Sequence, residues 1–247
     1  MKQFSVTTSM GKRLIGKAMV GHPDIKGALE KGVLAIIAGT TNGYVAEEIL
    51  KSLGQAEGFS REGFRRGMTV APGAEVSRAK LQGDVIIADW KWQKGKTIFD
   101  VEDDLKAGDV VLKGANAFDA HGRPAVQIGN TKGGTVFAAL VAAVGRRVRL
   151  IMPVGLEKRV LEDVHVLAKR CNAPDAEGPR LLPVPGEIFT ELDAIKLLTG
   201  ADTCLIAAGG VYGAEGSYWF GVTGTEDQIQ AAADLIKSIA HEPPCTA

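Results

Sequence analysis

Residues able to handle an anion or a proton gather first between Gly108 and Leu140, where the chain reads GDVVLKGANAFDAHGRPAVQIGNTKGGTVFAAL. The apolar run Asp109 to Leu112 is of strand type, and Gly114-Ala115-Asn116 stops it with a turn. Ligands of open α/β sheets sit beyond the carboxyl ends of strands, so Asn116 and Asp119 are the residues expected where chemistry is done. Gly129-Asn130-Thr131-Lys132-Gly133-Gly134-Thr135 is a donor-rich turn opening an apolar helix, a setting that suits an anion. Lys132 would add the charge, and Gly133 and Gly134 the close approach. Upstream, the apolar strand Val33 to Ala38 runs into Gly39-Thr40-Thr41-Asn42-Gly43, and a helix from Tyr44 to Leu53 follows. That loop would turn N–H groups and short polar side chains toward a phosphate. Each site has a plainer reading. Gly39 to Gly43 is also an ordinary βα turn, Lys132 a solvated lysine, and Asp119 a carboxylate capping its own turn.

A third glycine-rich stretch, Gly209 to Gly216, is no dinucleotide fingerprint, because a strand rather than a helix follows it. It reads as a hairpin loop from which Tyr212 and Glu215 would reach over a cleft, Glu215 as a carboxylate base. Trp90-Lys91-Trp92-Gln93-Lys94-Gly95-Lys96 resembles a hairpin tip. A base-stacking surface needs a wider basic field than this, so a subunit contact or a packed hairpin is expected instead. His22 reads as a surface turn residue, and His165 as a surface or partly packed residue rather than a ligand.

These residues need strands and helices to hold them. The 247 residues suffice for one large or two small domains with a substantial core. Twenty-nine basic residues balance 29 acidic ones, so no global field recruits nucleic acid or an anionic membrane. The apolar runs fall short of a bilayer span and the first residues lack a secretory core, so the expectation is a cytoplasmic protein. Cys171, Cys204 and Cys245 form no Cys-x-x-Cys pair, and neither a metal site nor a cofactor is expected.

In chain order, a short helix from Asp24 ends at Gly32, Ser60 caps a short helix through Arg66, and Met68 to Ala71 and Asp84 to Ala88 are strands. Arg147 to Met152 is another strand, followed by an amphipathic helix from Leu156 to Cys171. Proline and glycine between Asn172 and Pro185 mark a boundary, dividing the chain into a core, 1–171, and a small unit, 172–247. The second unit reads as strand, helix Glu187 to Thr199, strand, hairpin, strand and a last helix capped by Thr225 and Gln228, with a frayed tail from His241.

Two motifs together resemble the superfamily of A-type ribose-5-phosphate isomerase, glucosamine-6-phosphate deaminase and the CoA transferases. Gly114-Ala115-Asn116-Ala117-Phe118-Asp119 followed by Lys132-Gly133-Gly134 stands in the order of the isomerases' Gly-Ala-Asp-Glu-Val-Asp and lysine-glycine loop. Ile36 to Gly43 looks like their strand and Gly-Thr-Gly-Ser-Thr phosphate loop. The resemblance implies an α/β fold: a Rossmann-like, mostly parallel sheet core with a small ferredoxin-like α+β lid. It also implies a phosphorylated sugar or similar small anion as ligand, a divergent sugar-phosphate isomerase as the activity, and a homo-oligomer as one option. Asn116 stands where those isomerases have an aspartate, and an amide neither gives nor takes a proton. Their glutamate nine residues beyond the lysine falls on Val141, and Gly133 to Val144 contains no carboxylate. A non-catalytic ligand-binding or regulatory member of the superfamily is the competing expectation.

Overall fold

The computed structural model describes residues 1–66, 69 and 83–244. The chain opens with β1 (Lys2–Val6), α1 (Thr8–Gly21), α2 (Pro23–Lys31), β2 (Val33–Ile36) and α3 (Thr40–Ser52). The hairpin β3 (Val85–Ala88) and β4 (Lys91–Trp92) leads to β5 (Val110–Leu112). Then come β6 (Ala117–Phe118), β7 (Pro124–Ile128), α4 (Thr135–Leu140), β8 (Arg149–Pro153) and α5 (Val164–Cys171). The last third holds β9 (Arg180–Pro183), β10 (Glu187–Phe189), α6 (Glu191–Thr199), β11 (Asp202–Ala208), β12 (Tyr218–Thr223) and α7 (Glu226–Ser238).

The fold is mixed α/β. A six-stranded sheet has the order β10-β8-β5-β2-β3-β4, in which β10, β8, β5 and β2 run parallel, β3 pairs antiparallel with β2, and β4 pairs antiparallel with β3. The strands buried in it are apolar throughout, as in Leu34 to Ile36 and Val110 to Leu112, because helices cover both sides of a parallel sheet. Two three-stranded sheets accompany it, β1-β12-β11 and β6-β7-β9, both antiparallel. Among the described residues no helix is long and apolar enough to cross a membrane.

The expected division at residue 172 does not follow the sheets. β9 pairs with β7 and β10 with β8, while β1 at the amino end pairs with β12. One hydrophobic core accordingly runs from Leu14 and Ile36 to Phe220 and Ile236, and a smaller cluster of Ala117, Ala125, Val164, Ala168 and Leu181 lies under β7 and α5.

Several expected elements shift. Residues 8–21 form α1, which has no clean apolar stripe because Ser9, Lys12 and Arg13 are buried with the aliphatic residues. A Cβ on Gly16 would stand 2.9 Å from the carbonyl oxygen of Tyr44, so glycine lets α1 close on α3. Glu187 to Phe189 is strand rather than helix, since Ile188 and Phe189 join β8 and Thr190 caps α6 only afterwards. The helix expected from Leu156 is a 3-10 turn, Leu156–Lys158, and α5 starts at its Asp163 cap. Residues 61–64 form turns, not a helix, and the strand expected at Met68 to Ala71 lies outside the described residues but for Thr69, which is not in a strand. The tail is tied as far as Glu242, whose carboxylate accepts from Nε of Arg13 at 2.8 Å. Thr225 and Gln228 do cap α7, and Gly200 does end α6 with φ of 73°.

The tryptophan hairpin turns through Asp89 and Trp90, both at positive φ, and Gln55 bridges it by accepting from Trp92 N and donating to Trp90 O. Trp92 packs edge-on against Phe59, whereas Trp90 is exposed.

Candidate functional site

The carboxyl ends of β2, β5, β8 and β10 lie side by side, and each delivers polar groups. Beyond β2, the buried Asp84 accepts from Ala38 N and Ile98 N, both at 2.9 Å, and from Nη2 of Arg66 at 2.9 Å. Asn42 Nδ2 donates to Ile37 O at 2.8 Å and Leu112 O at 3.1 Å, which ties the ends of β2 and β5 together. The next residue after β5 is Lys113. Its Nζ donates to Gly114 O at 3.3 Å and has no other hydrogen bond among the described residues. Burial, then the charges of Lys158 and Arg66, push its ammonium down to about 8 against the opposing pull of Asp84.

Lys113 opens on a cleft of about 290 Å³, lined also by Arg66, Phe99, Asn116, Asn130, Gly133 and Gly134. Gly133 and Gly134 have φ of 79° and 67°, and a Cβ on Gly133 would collide with the ring of Phe137, so this wall requires glycine.

Beyond β8 and β10 a buried network continues from this cleft. Lys158 Nζ donates to Ala115 O at 2.8 Å, and the neighbouring Glu157 accepts from Nζ of Lys12 at 2.8 Å and from the hydroxyl of Tyr218 at 2.5 Å. Tyr218 OH in turn accepts from Glu157 N at 3.0 Å. Glu191, at the start of α6, is fully buried; Oε2 accepts from Leu156 N at 3.1 Å, and Oε1 has no partner among the described residues. A Cβ on Gly11 would stand 2.5 Å from that oxygen, so α1 makes room for the carboxyl with a glycine. Burial, followed by the charge of Glu157, pushes Glu191 up to about 8. Burial also raises Glu157, but Lys12 and the Tyr218 hydroxyl outweigh it and hold the carboxyl below its usual range. Burial and the two glutamates keep the Tyr218 phenol protonated. The surroundings thus push the two carboxyls in opposite directions, Glu157 down and Glu191 up.

The residues expected from the sequence are only partly gathered here. Asn116, Gly133 and Gly134 line the cleft, although Oδ1 of Asn116 already accepts from Gln127 N at 3.0 Å. Asp119 is elsewhere. It is 2 % exposed and accepts from His121 N, Arg123 N, Arg123 Nε and Val164 N, while Arg123 reaches on to Asp163 at 2.6 Å. Burial raises this carboxyl, yet the bonds from Arg123 and the backbone prevail and hold it at about 2. Asp119 thus clamps the β6–β7 turn to α5. Gly39 caps α3, and Thr40 to Gly43 form its first turn instead of a loop. Thr40 is exposed, but Thr41 and Asn42 are buried and Gly43 N donates to Gly39 O at 2.8 Å. Lys132 is exposed and outside the cleft lining, its N–H donating to Oδ1 of Asn130 at 2.7 Å. Glu215 is exposed in the β11–β12 connection.

Lys12, Arg66, Lys113, Glu157, Lys158, Glu191 and Tyr218 were not among the site residues expected from the sequence. The rule that singled out Asn116 also covers Lys113, which follows β5 directly, and Glu157-Lys158, in the turn after β8. A larger depression, about 740 Å³, lies at the amino ends of β5 and β8. Its Arg149 is already paired with Asp24 and Glu187, and the exposed Arg147 lines it as well.

Compared with protein-family models, with curated proteins and with solved structures, the chain matches none.

Proposed function

We propose that this chain binds a phosphorylated sugar or a related small anion in the cleft between Lys113 and the 129–135 turn. One observation carries the reading: Lys113 lines the cleft within the fields of Lys158 and Arg66, each stronger there than the opposing pull of Asp84, and its only hydrogen bond among the described residues goes to a carbonyl. Such a like-charge cluster is costly without a ligand, and a bound anion would neutralise it. The resemblance of 114–119 and 132–134 to the sugar-phosphate isomerases supports the ligand class. The parallel run β2, β5, β8, β10 supports a Rossmann-like core. The sheet β1-β12-β11 with α6 and α7 supports a small α+β unit beside it, from which Tyr218 reaches the network.

A thermal-shift series over phosphosugars, neutral sugars, nucleotides and CoA esters tests this. Ligand at about 100 times its dissociation constant adds about 2.7 kcal/mol of stability. A shift with phosphosugars supports the reading, and a shift confined to CoA esters or neutral sugars removes it.

A second reading, a binding or regulatory protein without isomerase activity, is favoured by Asp119. Its four accepted hydrogen bonds and low pKa make Asp119 a poor base. Turnover of ribose 5-phosphate near the enzyme median of about 10 per second would exclude that reading.

A further inference from the structure

We propose that Lys113 is a nucleophile that forms an imine with the carbonyl carbon of an anionic aldehyde or ketone bound in the cleft. The inference rests on the anion-binding reading above and adds the carbonyl group to the ligand and a covalent step to the site. Three lysines, Lys12 on α1, Lys113 after β5 and Lys158 in the turn after β8, have different surroundings. Lys12 is ion-paired with Glu157 at 2.8 Å. Lys158 is spent on Ala115 O at 2.8 Å. Lys113 lines the cleft, lies within the field of two other cations, and holds only a 3.3 Å bond to its neighbour's carbonyl. A lysine desolvated beside other cations is the usual setting of an amine nucleophile, because the free base is what attacks.

The step balances without an outside oxidant or reductant. The amine nitrogen adds to the carbonyl carbon, the carbonyl oxygen leaves as water with the two amine hydrogens, and the nitrogen keeps the carbon through a double bond. Arg66, held by Asp84 at 2.9 Å on the same cleft, would receive the anionic group. Lys158 is a positioning residue whose charge keeps the Lys113 amine available. With a pKa near 8, Lys113 has on the order of a hundredfold more free amine at neutral pH than an ordinary lysine.

Trapping with cyanoborohydride decides it. The full chain is incubated with dihydroxyacetone phosphate or with pyruvate, reduced, digested and mapped by mass spectrometry, with glycerol phosphate as the anion lacking a carbonyl. The expected result is a secondary amine on Lys113, enriched on the order of tenfold or more over other lysines, lost in Lys113→Arg, kept in Lys132→Arg, and suppressed by excess glycerol phosphate. Labelling spread evenly over surface lysines, or no label on Lys113 in the unmodified chain, overturns the imine whether or not the Lys113 variant folds. A thermal shift with glycerol phosphate alongside either failure would leave anion binding standing, and no shift with any of the three compounds would remove both readings.

Discussion

The ammonium of Lys158 donates to the carbonyl oxygen of Ala115 at 2.8 Å, joining the turn after β8 to the segment after β5 two residues beyond Lys113. Its charge also helps push the Lys113 ammonium down to about 8, after burial and ahead of Arg66. Replacing Lys158 by Met removes that repulsion, so the apparent pKa of Lys113 should rise toward the ordinary lysine value near 10.4. The pH dependence of amine labelling at Lys113 reads this directly, and Lys158→Arg should preserve the original profile. Identical profiles in all three proteins would show that burial alone governs Lys113.

Glu191 gives the fold a pH dependence of unusual sign. Its folded-state pKa, about 8, lies above the ordinary carboxyl value of 4.5, so the folded chain holds a proton that the unfolded chain releases. Its stabilisation is complete below about 4.5 and is lost as pH rises toward 8, at no more than about 1.4 kcal/mol per unit. Glu191→Gln keeps the shape and stays neutral. Denaturant unfolding from pH 5 to 8 should therefore show a shallower loss for the variant than for the native chain, and parallel curves would mean that Glu191 ionises normally.

Asp119 should matter for stability and not for ligand. Its carboxylate accepts two side-chain and backbone bonds from Arg123 and two more from His121 and Val164. Losing the charge in Asp119→Asn should cost about 1.5 to 3 kcal/mol, as for a hydrogen bond to a charged group. Because its folded-state pKa is depressed, to about 2, that difference is present above about 4 and shrinks as pH falls toward 2. Chemical denaturation measures it. A stable variant that instead loses phosphosugar affinity would return Asp119 to the binding site.

The strands were legible where every residue is apolar, as in Val33 to Ile36 and Val110 to Leu112, because burial on both faces of a sheet leaves a continuous signal. Caps were legible for the same local reason, Thr225 with Gln228 and Gly200 being short-range chemistry. What escaped was set at long range. Lys12, Glu157 and Tyr218 meet from α1, the turn after β8, and β12, and each alone looks like a surface or core residue. Helix α1 was hidden because its buried side carries Lys12 and Arg13, whose partners Glu157 and Glu242 lie far along the chain. Motif order drew attention to Asp119 and Lys132, whereas the register of β5 places Lys113 on the cleft.

Calorimetric titration of the native chain and three variants with ribose 5-phosphate, with ribose as control, tests the anion site most directly. Binding should require the phosphate. Lys113→Met and Arg66→Met should each weaken it by about 1.5 to 3 kcal/mol, the scale of a charged hydrogen bond, while Lys132→Met should leave it nearly unchanged. Equal affinity for ribose, or loss of binding in Lys132→Met with Lys113→Met unaffected, would contradict a cleft built around Lys113.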